Sequence, residues 1–104
     1  MTDRRTEYEG DVVVEEVVTT EKPRPYNAVL HNDDFTTMEF VVMILEKVFN
    51  HPPASAVQLM QEVHAKGKSV LGTYPYEIAE TKAAETMALA RKSGYPLKCT
   101  VQPA

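Results

Sequence analysis

The chain has 104 residues, a size that fits one domain and leaves no room for two. Fifteen acids against eleven Lys and Arg give a net charge of -4 without a basic patch, so neither DNA nor RNA is an expected partner. No stretch approaches the roughly 18 apolar residues of a membrane span, Met1–Arg5 lacks the apolar run of a secretory signal, and the single cysteine allows no internal disulfide; a cytoplasmic protein with no membrane partner is expected.

Residues 1–24 read as a flexible acidic tail, and residues 25–104 as the folded domain. The tail ends in Lys22-Pro23-Arg24-Pro25, where proline fixes its own φ and restricts its predecessor, so an extended linker is expected. Inside the tail lies Val12-Val13-Val14-Glu15-Glu16-Val17-Val18. These valines read first as part of a disordered acidic segment; the sharper alternative is a conditional strand that pairs with a partner's sheet edge.

Tyr26–His31 is a short apolar-rich run and a first strand. Asn32-Asp33-Asp34 breaks it with residues that favour turns and helix starts. Thr36, with Glu39 three residues later, reads as a capping box, which predicts a helix over Thr37 to about Asn50. Its apolar face holds Met38, Val41, Val42, Leu45, Val48 and Phe49. Glu39, Glu46, Lys47 and Asn50 form the polar stripe, into which Met43 falls. Pro52-Pro53 separates this helix from a second over Ala54–Lys66, and Gly67 supplies a left-handed stop. Met60, Val63 and His64 follow i, i+3, i+4 spacing and share one face of that helix. Ser69–Tyr74 is a second strand. Pro75 opens a third helix with Glu77 in its first turn, and Ala79, Ala83, Thr86 and Ala90 give it a small-residue face that can lie close to a sheet. Gly94 ends it, and Leu97–Val101 is a third strand. The order βααβαβ predicts an α+β domain, a three-stranded antiparallel sheet packed against three helices.

Asn32-Asp33-Asp34 is the densest polar group of the fold, and taken alone it reads as a turn leading into a capped helix. His64 reads alone as a satisfied histidine at a helix end. A nucleophilic triad of His64, an Asp and Cys99 has the right residue types, but Cys99 lies in an apolar strand, where a thiol is inert. A metal set of His31, Asp33, Asp34 and His64 lacks any close ligand pair on one element. Glycine-rich phosphate loops and nucleophile elbows are absent from the sequence. A binding domain without a cofactor, rather than an enzyme, is expected.

Four blocks in order carry a resemblance: Val29-Leu30-His31-Asn32-Asp33-Asp34-Phe35-Thr36-Thr37-Met38-Glu39-Phe40-Val41; Leu59-Met60-Gln61-Glu62-Val63-His64 with Gly67-Lys68; Glu77-Ile78-Ala79-Glu80-Thr81-Lys82; and Pro96-Leu97-Lys98-Cys99-Thr100. The sequence from about Pro25 to Val101 resembles the ClpS adaptors of the Clp protease. The resemblance implies a ClpS-like fold and a non-catalytic adaptor. Such adaptors bind N-end-rule substrates through a free amino-terminal Leu, Phe, Tyr or Trp and deliver them to a ClpA-type AAA+ unfoldase. By resemblance, Asn32, Asp33 and His64 receive the substrate ammonium and Asp34 supports the turn. Thr36, Met38, Val41, Met60, Val63 and Leu97 wall the side-chain pocket, with Met38 as a gatekeeper against β-branched residues. Glu77 and Lys82 dock on the unfoldase's N-terminal domain, although without the resemblance they are two charges on a solvated helix. The tail takes part in delivery or in slowing the unfoldase.

The chemistry suits an ammonium, which needs a carbonyl oxygen, a carboxylate and a neutral imidazole as acceptors. An imidazole near its ordinary value of about 6.5 and an amine near about 7.7–8.0 predict binding that peaks around neutrality. Two departures from the family pattern stand out: Thr37 where proline is usual, and His31 where an apolar residue or asparagine is usual, beside the acceptors. The alternative is a docking module like the C-terminal domain of the ribosomal stalk protein, which ClpS resembles in fold.

Overall fold

The computed structural model describes residues 24–104. The tail expectations therefore lie outside the described residues.

The strand β1 (Pro25–His31) forms the centre of an antiparallel sheet, with β2 (Lys68–Pro75) on one side and β3 (Lys98–Pro103) on the other. Alternation sends Ala28 and Leu30 inward, where Val101 and Cys99 stand opposite them on β3. Val29 and His31 therefore point to the other face. The β1–β2 register slips between Ala28 and Val29, and the extra residue, Leu71, is 2% exposed in the core. Gly72 follows the slip because a Cβ there would run into the ring of Tyr74.

Three helices cover the inner face: α1 (Met38–Lys47), α2 (Pro53–Lys66) and α3 (Tyr76–Lys92). The α+β architecture and the element order are as the sequence predicts. On α3, Ala79, Ala83, Thr86 and Ala90 are all buried, so the helix lies close to the sheet. Thr86 is tolerated there because its hydroxyl donates to the Lys82 carbonyl at 2.8 Å. Gly67, at φ 89°, closes α2 in the left-handed region with its N–H on the Val63 carbonyl at 2.9 Å, as expected.

Three details of α1 differ from the sequence reading. Its cap is Thr37, whose hydroxyl accepts from the Phe40 N–H at 3.1 Å. Thr36 stands one residue earlier, in the loop, where its hydroxyl donates to Asp33. The helix ends at Lys47, with Val48 as its C-cap, instead of reaching Asn50. Asn50 turns the chain at φ 59°, a left-handed position that asparagine tolerates. Lastly, α1 is buried more widely than a single stripe. Ile44 is fully buried and Met43 is half-buried against the core, although the wheel omitted the first and set the second in its polar stripe. By contrast Met38 is 51% exposed, at the first turn of α1.

Candidate functional site

The loop between β1 and α1 faces the C-terminal half of α2 across a cleft of about 460 Å³. Asn32, Asp33, Thr36, Met38 and Val41 line one side, and Met60, Val63 and His64 line the other. Val41 and Val63 are buried and provide apolar walls, whereas Asn32 and His64 are exposed. A main-chain strut sets the spacing of the two sides. The Asn32 N–H donates to the Gly67 carbonyl at 2.8 Å, tying the loop to the end of the helix that carries His64.

Asp33 organises the loop. One of its oxygens accepts from the Phe35 and Thr36 N–H groups, each at 2.8 Å, and the other accepts from the Thr36 hydroxyl at 2.7 Å. Partial burial opposes the charge. The hydrogen bonds from Thr36 and Phe35, with a further contribution from Arg91, outweigh it and hold the carboxyl below its ordinary range. A carboxylate has about four acceptor positions, so three bonds leave it one for a ligand. The turn is thus braced by Asp33, not by Asp34 as the sequence reading had it; Asp34 is exposed on the cleft margin.

Asp33, Asp34 and Glu39 all border the cleft, and among the described residues no lysine or arginine lines it. Among those residues neither the Asn32 nor the His64 side chain has a hydrogen-bond partner, and both line the cleft. The arrangement can take a small cation carrying an apolar side chain: acceptors at the rim with Met38, and Val41, Val63 and Met60 as the apolar walls. Phe35, 74% exposed at the same margin, was quoted in the sequence but given no role there.

Two other expectations change with the geometry. Leu97 does not line the cleft; it is 1% exposed in the core, just before β3 begins. His31 does not stand with the acceptors. Its Nε2 lies 2.8 Å from the Thr100 hydroxyl on the sheet's outer face, which also disassembles the imagined metal set. Cys99 is buried, and burial pushes its thiol up to about 12, as expected of a thiol in an apolar strand.

Similarity to known proteins now bears on this cleft. The family model "ATP-dependent Clp protease adaptor protein ClpS" matches residues 21–100. The chain belongs to the ClpS family. A ClpS adapter of Desulfatibacillum aliphaticivorans is 47% identical over 94 residues, covering 90% of each chain. One from Clostridium acetobutylicum is 56% identical over 81 residues, covering 78% of this chain and 80% of that one. The structure of Agrobacterium tumefaciens ClpS2 bound to L-phenylalaninamide superposes with a TM-score of 0.78 at 36% identity, covering 80% of this chain and all of that one. The ClpS-like fold and the role of a Clp protease adaptor follow from these matches, and the family is one of adaptors for a protease rather than of proteases.

The two residues expected to face an unfoldase stand in different surroundings. Glu77 is exposed in the first turn of α3, between Tyr76 and Ile78, each 47% exposed. Lys82 is half-buried. Its ammonium donates to the Val48 carbonyl at 2.8 Å and lies over the rings of Phe49 and Tyr74, so it satisfies an orphan carbonyl at the end of α1. Of the two, Glu77 alone is a charge on a solvated helix face. No described helix is long and apolar enough to cross a membrane.

Proposed function

We propose that this ClpS-family chain binds polypeptides through a free amino terminus bearing Leu, Phe, Tyr or Trp. Asn32, Asp33 and His64 receive the ammonium, and Thr36, Met38, Val41, Met60 and Val63 enclose the first side chain. The carrying observation is the cleft itself, an acceptor rim bordered by three carboxylates and, among the described residues, by no lysine or arginine, above apolar walls. The ligand of the Agrobacterium relative, an amino-acid amide with a free amine and a phenyl side chain, has the same chemistry.

Magnitudes give a firm but releasable grip. Burying a Leu or Phe side chain contributes about 1.5–3 kcal/mol. Charge-assisted hydrogen bonds contribute about 1.5–3 kcal/mol each. Two or three of them, less the cost of association, give a Kd on the order of micromolar. The adaptor then hands its cargo to a ClpA-type unfoldase in the cytoplasm, with Glu77 on the docking face. Residues 25–104 do the binding, residues 1–24 serve delivery, and the chain itself performs no catalysis.

The test is a fluorescent peptide beginning with Leu or Phe beside its N-acetylated twin. Binding that acetylation abolishes establishes amino-terminus recognition. Equal binding of both peptides, or of neither, removes it.

A further inference from the structure

The sheet face turned away from the helices carries a feature the cleft does not use. Lys68 and Lys98 are the direct partners of His31 in the neighbouring strands, so three basic side chains stand in one row across the sheet. Leu30, adjacent to His31, points into the core, which sets the row on the outer face. Both lysines are exposed. Burial and the two lysine charges together hold the His31 imidazole below its ordinary range, a sign that the three groups feel one another. Two residues along β1, Val29 faces Val70, which is 45% exposed. These valines, with Lys68 and Gln102, line a shallow groove of about 400 Å³. Glu62 also borders it, but its carboxylate is held by Lys66 at 3.1 Å. A row of cations beside a valine floor suits an extended segment in which acids adjoin β-branched residues.

Residues 11–18 of this chain, Asp-Val-Val-Val-Glu-Glu-Val-Val, have that composition, and from Glu7 to Glu16 there are five acids and no lysine or arginine. Reach agrees as well. β1 covers roughly 20 Å from Pro25 to His31 at about 3.3 Å per residue. A segment that reverses at the prolines and returns along the outer face spans this in about six or seven extended residues. Glu16 then comes level with the basic row, and Val18 comes level with Val29 and Val70.

We propose that residues 11–18 dock in cis on the outer face of the sheet, with Glu16 between Lys68 and Lys98 and, two residues on, Val18 against the exposed Val70 beside the buried Val29. The contact is a latch that keeps the segment against the fold until another surface takes it. It stands apart from amino-terminus recognition, because it uses no cleft residue.

The experiment is paramagnetic relaxation in the full chain, spin-labelled at Val14→Cys; native Cys99, 1% exposed, stays unlabelled. The amide signals of Val29, Val70 and Thr100 should lose most of their intensity. Glu15→Lys with Glu16→Lys should restore it, and adding Lys68→Glu with Lys98→Glu should remove it again. If those reversals disturb the folded spectrum, Lys68→Gln with Lys98→Gln in the original background should restore intensity alone. Absence of broadening overturns the latch, as does broadening indifferent to charge reversal. Broadening seen only between a labelled copy and an isotope-labelled second copy also overturns it, by making a neighbouring molecule the occupant.

Discussion

Replacing Thr36 by valine keeps shape and removes one hydroxyl, so it isolates what that hydroxyl does for Asp33. The lost bond is the 2.7 Å donation to the second carboxylate oxygen; the two N–H bonds to the first oxygen remain. A hydrogen bond to a charged group contributes about 1.5–3 kcal/mol when shielded, and at this half-exposed loop water replaces part of it, leaving about 1 kcal/mol. Without the hydroxyl, the carboxylate pivots about its remaining bonds and no longer aims its free acceptor position into the cleft. About 1 kcal/mol corresponds to a Kd for a Leu-first peptide weakened roughly five-fold. The titration must move with it. Partial burial pushes the Asp33 carboxyl up, but the hydrogen bonds outweigh it and hold the group below its ordinary range, so losing one raises the folded value. A depressed carboxyl contributes stability that is present above its unfolded value and lost as pH falls through its folded value. Thr36→Val should therefore lose less stability on acidification than the parent, having less to lose. Anisotropy with the peptide measures the first effect and carbon NMR of the Asp33 carboxyl the second. A Kd within two-fold of the parent together with an unmoved titration would refute the bracing role.

Lys82→Met keeps the aliphatic stem and removes the ammonium from the Val48 carbonyl and from the rings of Phe49 and Tyr74. About 2 kcal/mol of stability should go with it, read by urea unfolding, since a half-buried carbonyl is left unpaired. Glu77→Lys should leave both stability and peptide affinity alone and weaken delivery to the unfoldase; a drop in affinity would place α3 wrongly. In the fold, burial and then Lys98 and Lys68 push the His31 imidazole below its ordinary value, favouring its neutral form. Its contribution is therefore present above its unfolded value of about 6.5 and lost as pH falls through the lower folded value. His31→Gln should flatten the fall in stability that begins as pH drops below about 6.5 and leave the pH profile of peptide binding unchanged. A shifted binding profile would return His31 to the acceptor cluster.

How far a single sequence reaches is visible in where these residues ended up. The element order, the small-residue face of α3 and the Gly67 stop were legible because each is a local rule: strand alternation, helical spacing, a left-handed glycine. His64 beside Met60 and Val63 was legible for the same reason. What escaped depends on who competes for a group. Thr36 and Thr37 both suit a helix cap, and the fold alone shows that the first turns its hydroxyl to Asp33 while the second accepts from the Phe40 N–H. Asp33 and Asp34 differ by one position, and only the folded loop shows which of them braces the turn. Lys82 reads as a solvated charge until α1 is seen to end beneath it.

The correction to His31 follows from one parity argument that the sequence already contained. Side chains alternate along a strand, so the inward positions of Ala28 and Leu30 oblige His31 to face outward. The acceptor cluster begins one residue later, where the chain leaves the sheet and Asn32 is tied to Gly67. The departure of His31 from the family pattern thus modifies the outer face, where it meets Thr100 between two lysines, and leaves the cleft to Asn32, Asp33 and His64. Thr37, the other departure, works the opposite way. Its hydroxyl holds the first turn of α1 with a side-chain cap, a bond proline does not offer, so the helix start that carries Met38 to the cleft mouth is fixed by hydrogen bonding instead of by a ring.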